Sequence, residues 1–196
     1  MLEHLIKIDQ DIFLFLNGLH INGLDQLMFW ISGKKEWIPL YALIVGVIIY
    51  NYKKKSILII LGIVISIILA DQITSGFMKP FFERLRPSHE PLLEGLVHHV
   101  NNYKGGRFGF ASSHAANSFA LAMYLWLLFR HHYKWSIWIF VWASVVSYSR
   151  IYLGVHYPGD IIVGALVGAA SGWGSYHLIT HIAKTKSINK FFHRTQ

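Results

Sequence analysis

Three short stretches carry the side chains that could do chemistry. The first is Lys79-Pro-Phe-Phe-Glu-Arg-Leu-Arg86-Pro87, with a lysine and an arginine seven positions apart. The second is Ala111-Ser112-Ser113-His114, and the third runs from Ser149-Arg150 through His156 to Asp160. Together they offer three cations (Lys79, Arg86, Arg150), small hydroxyls (Ser112, Ser113), two imidazoles and one carboxylate. Cations converging on one site imply a ligand of high negative charge density. Phosphate fits, since arginine grips it as a bidentate fork and lysine as a point charge. Ser112 and Ser113 open an apolar run, so free backbone N–H groups there can point at a phosphate oxygen. No carboxylate pair or metal-ligand cluster accompanies these residues, so no metal or other cofactor is expected. The nucleophile is then a side chain or an activated water, and His156 is best placed. Asp160 lies four residues on, in the first turn after Pro158. A carboxylate on one ring nitrogen fixes the tautomer and frees the other to attack phosphorus. His114 would then protonate the leaving oxygen as general acid.

These residues must be held by apolar segments. The chain has 196 residues, of which 54% are hydrophobic and only 14% charged. A soluble domain carries about 25% charged residues, so this chain has too few charges to coat a water-exposed surface. The expectation is an all-α integral-membrane bundle in a single domain. Its net charge of +8 sits in short clusters between apolar runs rather than along a basic stripe, which argues for bilayer flanks and against nucleic acid. Cysteine is absent, which excludes disulfides and thiol chemistry.

Residues 1–20 read as an amphipathic helix. Leu5, Ile8, Ile12, Phe15 and Leu19 recur at spacings of three and four, with Glu3, Lys7 and Asp11 on the other side. That suits either the membrane interface or packing on the bundle. Residues 21–35 read as a second interfacial or re-entrant piece. Five spans follow, over about 37–52, 56–75, 112–129, 135–148 and 158–182, with Lys79 and Arg86 in the loop after the second. The bundle thus covers 36–182, and 183–196 form a basic tail. Nine basic residues share the face of Lys53–Lys55 and the tail; the other face also has nine, but Lys79, Arg86 and Arg150 among them belong to the motifs. The tail is therefore expected in the cytoplasm and the motifs on the opposite face. Gly164, Gly168 and Gly172 recur at four-residue spacing, which suits close helix packing in a homodimer or, preferably, within one bundle. Asp71 lies two turns before Lys79 on the same face and could buttress it. Arg84, Lys104 and Arg107 read as solvated loop charges, and His89, His98, His99, His131 and His132 as surface residues.

The three stretches resemble the signature of the type 2 phosphatidic acid phosphatase family, which includes vanadium haloperoxidases and some soluble acid phosphatases. Lys79 and Arg86-Pro87 match its first part, and Ser149-Arg150, His156 and Asp160 its third. The second part, proline-serine-glycine-histidine, is met at Ser112 and His114, with Ala111 and Ser113 as departures. The resemblance implies a helical bundle with its site at the membrane surface. It implies His156 as nucleophile through a phosphohistidine, Asp160 as its orienter, and His114 as acid and later as base toward water. Lys79, Arg86, Ser112, Ser113 and Arg150 would hold the phosphoryl oxygens, with no metal required. The expected substrate is a lipid phosphate in a bacterial inner membrane. Undecaprenyl diphosphate comes first, and lipid A, phosphatidylglycerol phosphate and phosphatidic acid are the alternatives. A vanadate-dependent haloperoxidase or a non-catalytic lipid-binding protein would be readings of another class.

Overall fold

A computed structural model describes residues 2–185. Eight α-helices account for most of them, and no strand forms among the described residues. They are α1 (Leu2–Gly18), α2 (Asn22–Ser32), α3 (Ile38–Tyr52), α4 (Ser56–Asp71), α5 (Lys79–Phe82), α6 (Ser113–Phe129), α7 (Ile139–Tyr152) and α8 (Pro158–Thr185). Pro39 and Pro158 stand in the first turns of α3 and α8, where a missing N–H costs nothing. Ser112 caps α6, its hydroxyl accepting from the Ala115 N–H. The expected basic tail lies, from residue 186 on, outside the described residues.

Two stretches, Ile38–Phe82 and Pro158–Ala183, are apolar and long enough to cross a membrane. The first is broken at Lys53–Lys55, where Lys53 takes a left-handed φ of 49° and a short 3-10 turn separates α3 from α4. Tyr41 and Ile44 of α3 line the same cavity as Ile60 and Ile67 of α4, so the two helices lie side by side. Their outward faces carry exposed Leu43, Ile49, Ile57 and Ile68, while Ser66 of α4 is buried. Apolar side chains facing out and small polar ones facing in is the pattern of a helix solvated by lipid.

Helix α6 is the centre of the bundle, packed against α4, α7 and α8. Its Leu121, Tyr124, Leu125 and Leu128 meet Ile48 and Tyr52 of α3, Ile59 and Ile63 of α4, and Ile179 of α8 in one apolar cluster. Along the α6–α8 seam the three spaced glycines have their use. A Cβ at Gly164, Gly168 or Gly172 would come within 2.4, 2.1 or 2.4 Å of the carbonyl oxygens of Ser112, Ala116 and Ala120. The seam is therefore occupied inside one chain, the use of these glycines that the sequence favoured over a homodimer contact.

Lys79 also differs from expectation. It is not in a loop, because the helix of α4 continues through a π-helical stretch, Gln72–Met78, directly into α5. The chain turns only at Glu83, which takes a left-handed φ of 46°. The wider π turn shifts the helical phase and so sets where Lys79 points.

Helix α1 uses two faces. Leu5, Ile8, Ile12, Phe15 and Leu19, the stripe read from the sequence, are exposed. The docked face is instead Asp9, Phe13 and Asn17. Phe13 packs edge-on against Tyr157 at 5.4 Å. Asn17 is buried and donates to the carbonyls of Ile151 and Tyr152, at 3.1 and 2.9 Å. The helix thus presents an apolar stripe outward while being bolted to the end of α7. His98 takes part in the same joint and is not a free surface residue: it pairs with Asp25 at 3.1 Å and stacks on His20.

Candidate active site

All three chemical stretches meet at one end of the bundle, at the last turns of the α4–α5 helix and of α7 and the first turns of α6 and α8. His156 lies in the turn between α7 and α8 and is almost wholly buried. Its Nδ1 is 3.2 Å from Asp160 Oδ2, which also accepts from the Tyr157 backbone N–H at 3.0 Å. The i,i+4 spacing across the start of α8 makes this pair, as Pro158 sets the first turn. With Nδ1–H donated to the carboxylate, Nε2 carries the free lone pair. Arg86 Nη1 lies 3.1 Å from that nitrogen. Burial, then the cations Arg86, Arg150 and Lys79, hold the His156 imidazole well below its ordinary pKa. The ring is therefore neutral at physiological pH, and its Nε2 lone pair accepts from Arg86.

Arg86 touches this nitrogen, and Arg150 and Lys79 act on the ring through their charge. Arg86 is buried, and its Nε and Nη1 are aimed by the carbonyls of Phe108 and Val155 at 3.1 and 3.2 Å. An antiparallel bridge between Leu85 and Phe108 sets the strand-like entry of this arginine. Lys79 Nζ donates to Ser75 Oγ at 3.0 Å and to Ser113 Oγ at 3.1 Å, tying α5 to the start of α6. Asp71 does not touch Lys79. Its Oδ1 accepts from Ser75 at 3.4 Å and Asn117 at 3.5 Å, so it reaches the lysine through Ser75. Ser112 is buried, and its N–H donates to the Asp160 carbonyl at 3.0 Å, which locks α6 to α8 at the site.

Arg150 is buried at the end of α7. Its two terminal nitrogens are held by Ser32 Oγ and, at 3.2 Å, by Tyr103 Oη. Burial pushes the Tyr103 phenol up, but the Arg150 guanidinium outweighs this and holds it below its ordinary value. The buried Arg150 Nε has no partner among the described residues. A donor left open in this way suits an anion oxygen. Arg150 and His114 share the wall of a cavity of about 250 Å³ with Lys34, Tyr103 and Ser32.

His114 faces two ways. It lines that polar mouth and also a second cavity of about 350 Å³ among α3, α4, α6 and α7. The second is walled by Tyr41, Ile44, Ile60, Val64 and Leu121, side chains suited to a hydrocarbon chain. The imidazole thus stands where a charged head would join an apolar tail.

Several residues at the site carry no sequence signature. Ser32 and Tyr103 hold Arg150 from segments remote in the chain. Arg84, read as a solvated charge, is instead engaged with Asp160 and with Asp9 of α1. The one available signal for Asp9 was the four-residue stripe Asp9, Phe13, Asn17, which the stronger isoleucine stripe concealed.

A helical bundle with an apolar exterior carries at one end a buried histidine whose Nε2 meets Arg86, with Lys79 and Arg150 in the same cluster, an arrangement suited to phosphoryl transfer at a membrane. Residues 59–183 match the PAP2 superfamily, and the chain belongs to it. It is 43% identical over 183 residues to a lipid A 4'-phosphatase of Bacteroides thetaiotaomicron, covering 92% of this chain and 80% of that protein. It is 32% identical over 193 residues to an undecaprenyl-diphosphatase of Sulfolobus acidocaldarius, covering 96% and 84%. The crystal structure of Aquifex aeolicus LpxE superposes with a TM-score of 0.63 at 26% identity, over 85% of this chain and 93% of that one. The protein is a membrane lipid phosphatase of the PAP2 type.

Proposed function

We propose that this phosphatase removes the 4'-phosphate of a lipid A-type glycolipid by double displacement on His156. The 43% identity to a lipid A 4'-phosphatase over nearly the whole chain carries the choice of substrate. It moves lipid A ahead of undecaprenyl diphosphate, the substrate expected first from the sequence, whose relative shares 32%.

The chemistry follows from the geometry. His156 Nε2 attacks phosphorus, forming a P–N bond as the P–O bond to the sugar breaks. Asp160 holds Nδ1–H and stabilises the charge that grows on the ring. Arg86, which lies against Nε2, turns its donor to a phosphoryl oxygen as substrate arrives. Lys79, Arg150 and the N–H groups at the start of α6 share the remaining oxygens. His114, at the head-to-tail junction, gives its proton to the leaving sugar oxygen. It then takes a proton from the water that cleaves the P–N bond, which restores both histidines. No step of this scheme calls on a metal.

The test is phosphate release by purified protein from a panel of bisphosphorylated lipid A, undecaprenyl diphosphate, phosphatidylglycerol phosphate and phosphatidic acid. Lipid A should have the highest kcat/KM, by tenfold or more on the scale of pocket discrimination (roughly 10–200-fold), and EDTA should leave the rate unchanged. A higher value for undecaprenyl diphosphate would return the substrate to the first expectation, and loss restored by magnesium would refute the metal-free route.

The placement we propose is a bacterial cytoplasmic membrane crossed five times, with the site on the outer face and the C-terminus inside. The basic Lys53–Lys55 turn and Arg130 stand at the end of the bundle opposite the site, which supports this orientation. A phosphatase reporter fused after Gln196 should be silent and a cytoplasmic fluorescent one bright; the reverse pattern would invert the topology.

A further inference from the structure

Arg84 is a charged group that the steps above leave without a task. Its guanidinium bridges two carboxylates. Nη1 donates to Asp160 Oδ1 at 3.0 Å, and Nη2 to Asp9 Oδ2 at 2.7 Å. It also lies over the Tyr157 ring, 4.1 Å from the centroid. Asp9 has a second anchor, since its Oδ1 accepts from the Gly159 backbone N–H at 2.8 Å. The carboxylate of α1 thus sits on the first turn of α8, where free N–H groups favour an anion. Only a residue without a side chain lets it approach there: a Cβ at Gly159 would meet Asp9 Oδ2 at 2.8 Å.

The two oxygens of Asp160 have separate duties. Oδ2 serves His156 Nδ1 and the Tyr157 N–H, while Oδ1 serves Arg84. We propose that Arg84, braced by Asp9, is a positioning residue that keeps Asp160 ionised and aimed at His156. This rests on the reading of His156 as nucleophile. The Asp160 side chain has no exposure to water, so its charge needs a partner beyond a neutral imidazole. Arg84 is that partner. An arginine whose charge fell wholly on Asp160 would weaken the pull of Oδ2 on Nδ1–H. Asp9 takes up half of the guanidinium, so the carboxylate stays basic enough to support the imidazolium formed during attack. Helix α1 thereby becomes a working part of the site, although it carries none of the signature residues.

The experiment compares Arg84→Ala, Arg84→Lys, Asp9→Asn and His156→Ala in the full-length chain in detergent micelles, with lipid A as substrate. Arg84→Ala should lower kcat by about tenfold to a hundredfold, the usual cost of losing a partner that orients an active group, with KM within about twofold. Guanidinium chloride at millimolar concentration should restore part of that loss in Arg84→Ala and have no effect on wild type or His156→Ala. Asp9→Asn should act in the same direction but more weakly, and Asp9→Asn added to Arg84→Ala should cost little more than Arg84→Ala alone, as two members of one chain of contacts are not additive. A raised KM with kcat preserved would show Arg84 holding the lipid head and overturn the proposal; so would wild-type kcat in Arg84→Ala. If Arg84→Ala fails to fold, Asp9→Asn decides, since an unchanged kcat there overturns the proposal too. Turnover by His156→Ala would instead refute the nucleophile reading itself.

Discussion

His156→Ala is expected to abolish phosphate release, by about 10⁴-fold or more, the scale on which a lost nucleophile is felt. The loss should lie in kcat, because the groups that would bind the phosphoryl oxygens remain. Arg86 keeps the carbonyls of Phe108 and Val155, Lys79 keeps Ser75 and Ser113, and Arg150 keeps Ser32 and Tyr103. Asp160 keeps the Tyr157 N–H and Arg84, so no buried charge is stranded by the change. The variant should therefore still bind inorganic phosphate or vanadate and elute as a folded protein in detergent. Brief incubation of wild type with substrate labelled in the phosphate should leave an acid-labile, base-stable label on the protein, absent from the variant. Near-normal turnover would sink the nucleophile assignment, and a label that survives the substitution would move it to another residue.

His114→Ala has the second largest expected effect, and it should depend on the leaving group. A sugar oxygen leaves poorly without a proton, so lipid A turnover should fall by about 10²–10⁴-fold, the range that a positioned acid contributes. An aryl phosphate needs no such proton, and its first step should be largely spared. Its second step still lacks the base that activates water, so labelled phosphoenzyme should accumulate in the variant. Equal losses for both leaving groups, without accumulation, would show that His114 binds phosphate and transfers no proton. Its position supports the proton role, as the imidazole borders both the polar mouth and the apolar cavity.

The residues named from the sequence were those whose partners are close in the chain or whose type is costly in a membrane. His156 and Asp160 lie four residues apart across the start of α8, and Ser112 opens the helix that bears His114, so spacing alone put each pair together. The boundaries of α3, α4, α6 and α8 follow the apolar runs and were legible for the same reason. What stayed hidden rests on contacts between distant segments. Arg84 looks like any loop charge until Asp9, 75 residues away, is seen to share it. Ser32 lies 118 residues from the Arg150 it holds. Lys79 was assigned to a loop because the apolar run weakens near Ser75, yet the helix continues there by widening into a π turn. The glycine seam was ambiguous because small residues at four-residue spacing serve a partner helix in the same way whichever chain supplies it.

The meeting of two cavities at His114 has a consequence for the order of events. In a double displacement the dephosphorylated lipid is released while the phosphoryl group still sits on the enzyme, and water must then reach the phosphorus. Were there one doorway, the departing lipid would stand in the path of that water. On the proposed mechanism the lipid would withdraw along the apolar cavity among α3, α4, α6 and α7, and water would enter by the mouth beside Arg150 and Lys34. The two products would then separate into two phases, the alcohol toward the bilayer and the phosphate toward water, so that neither would have to pass the other.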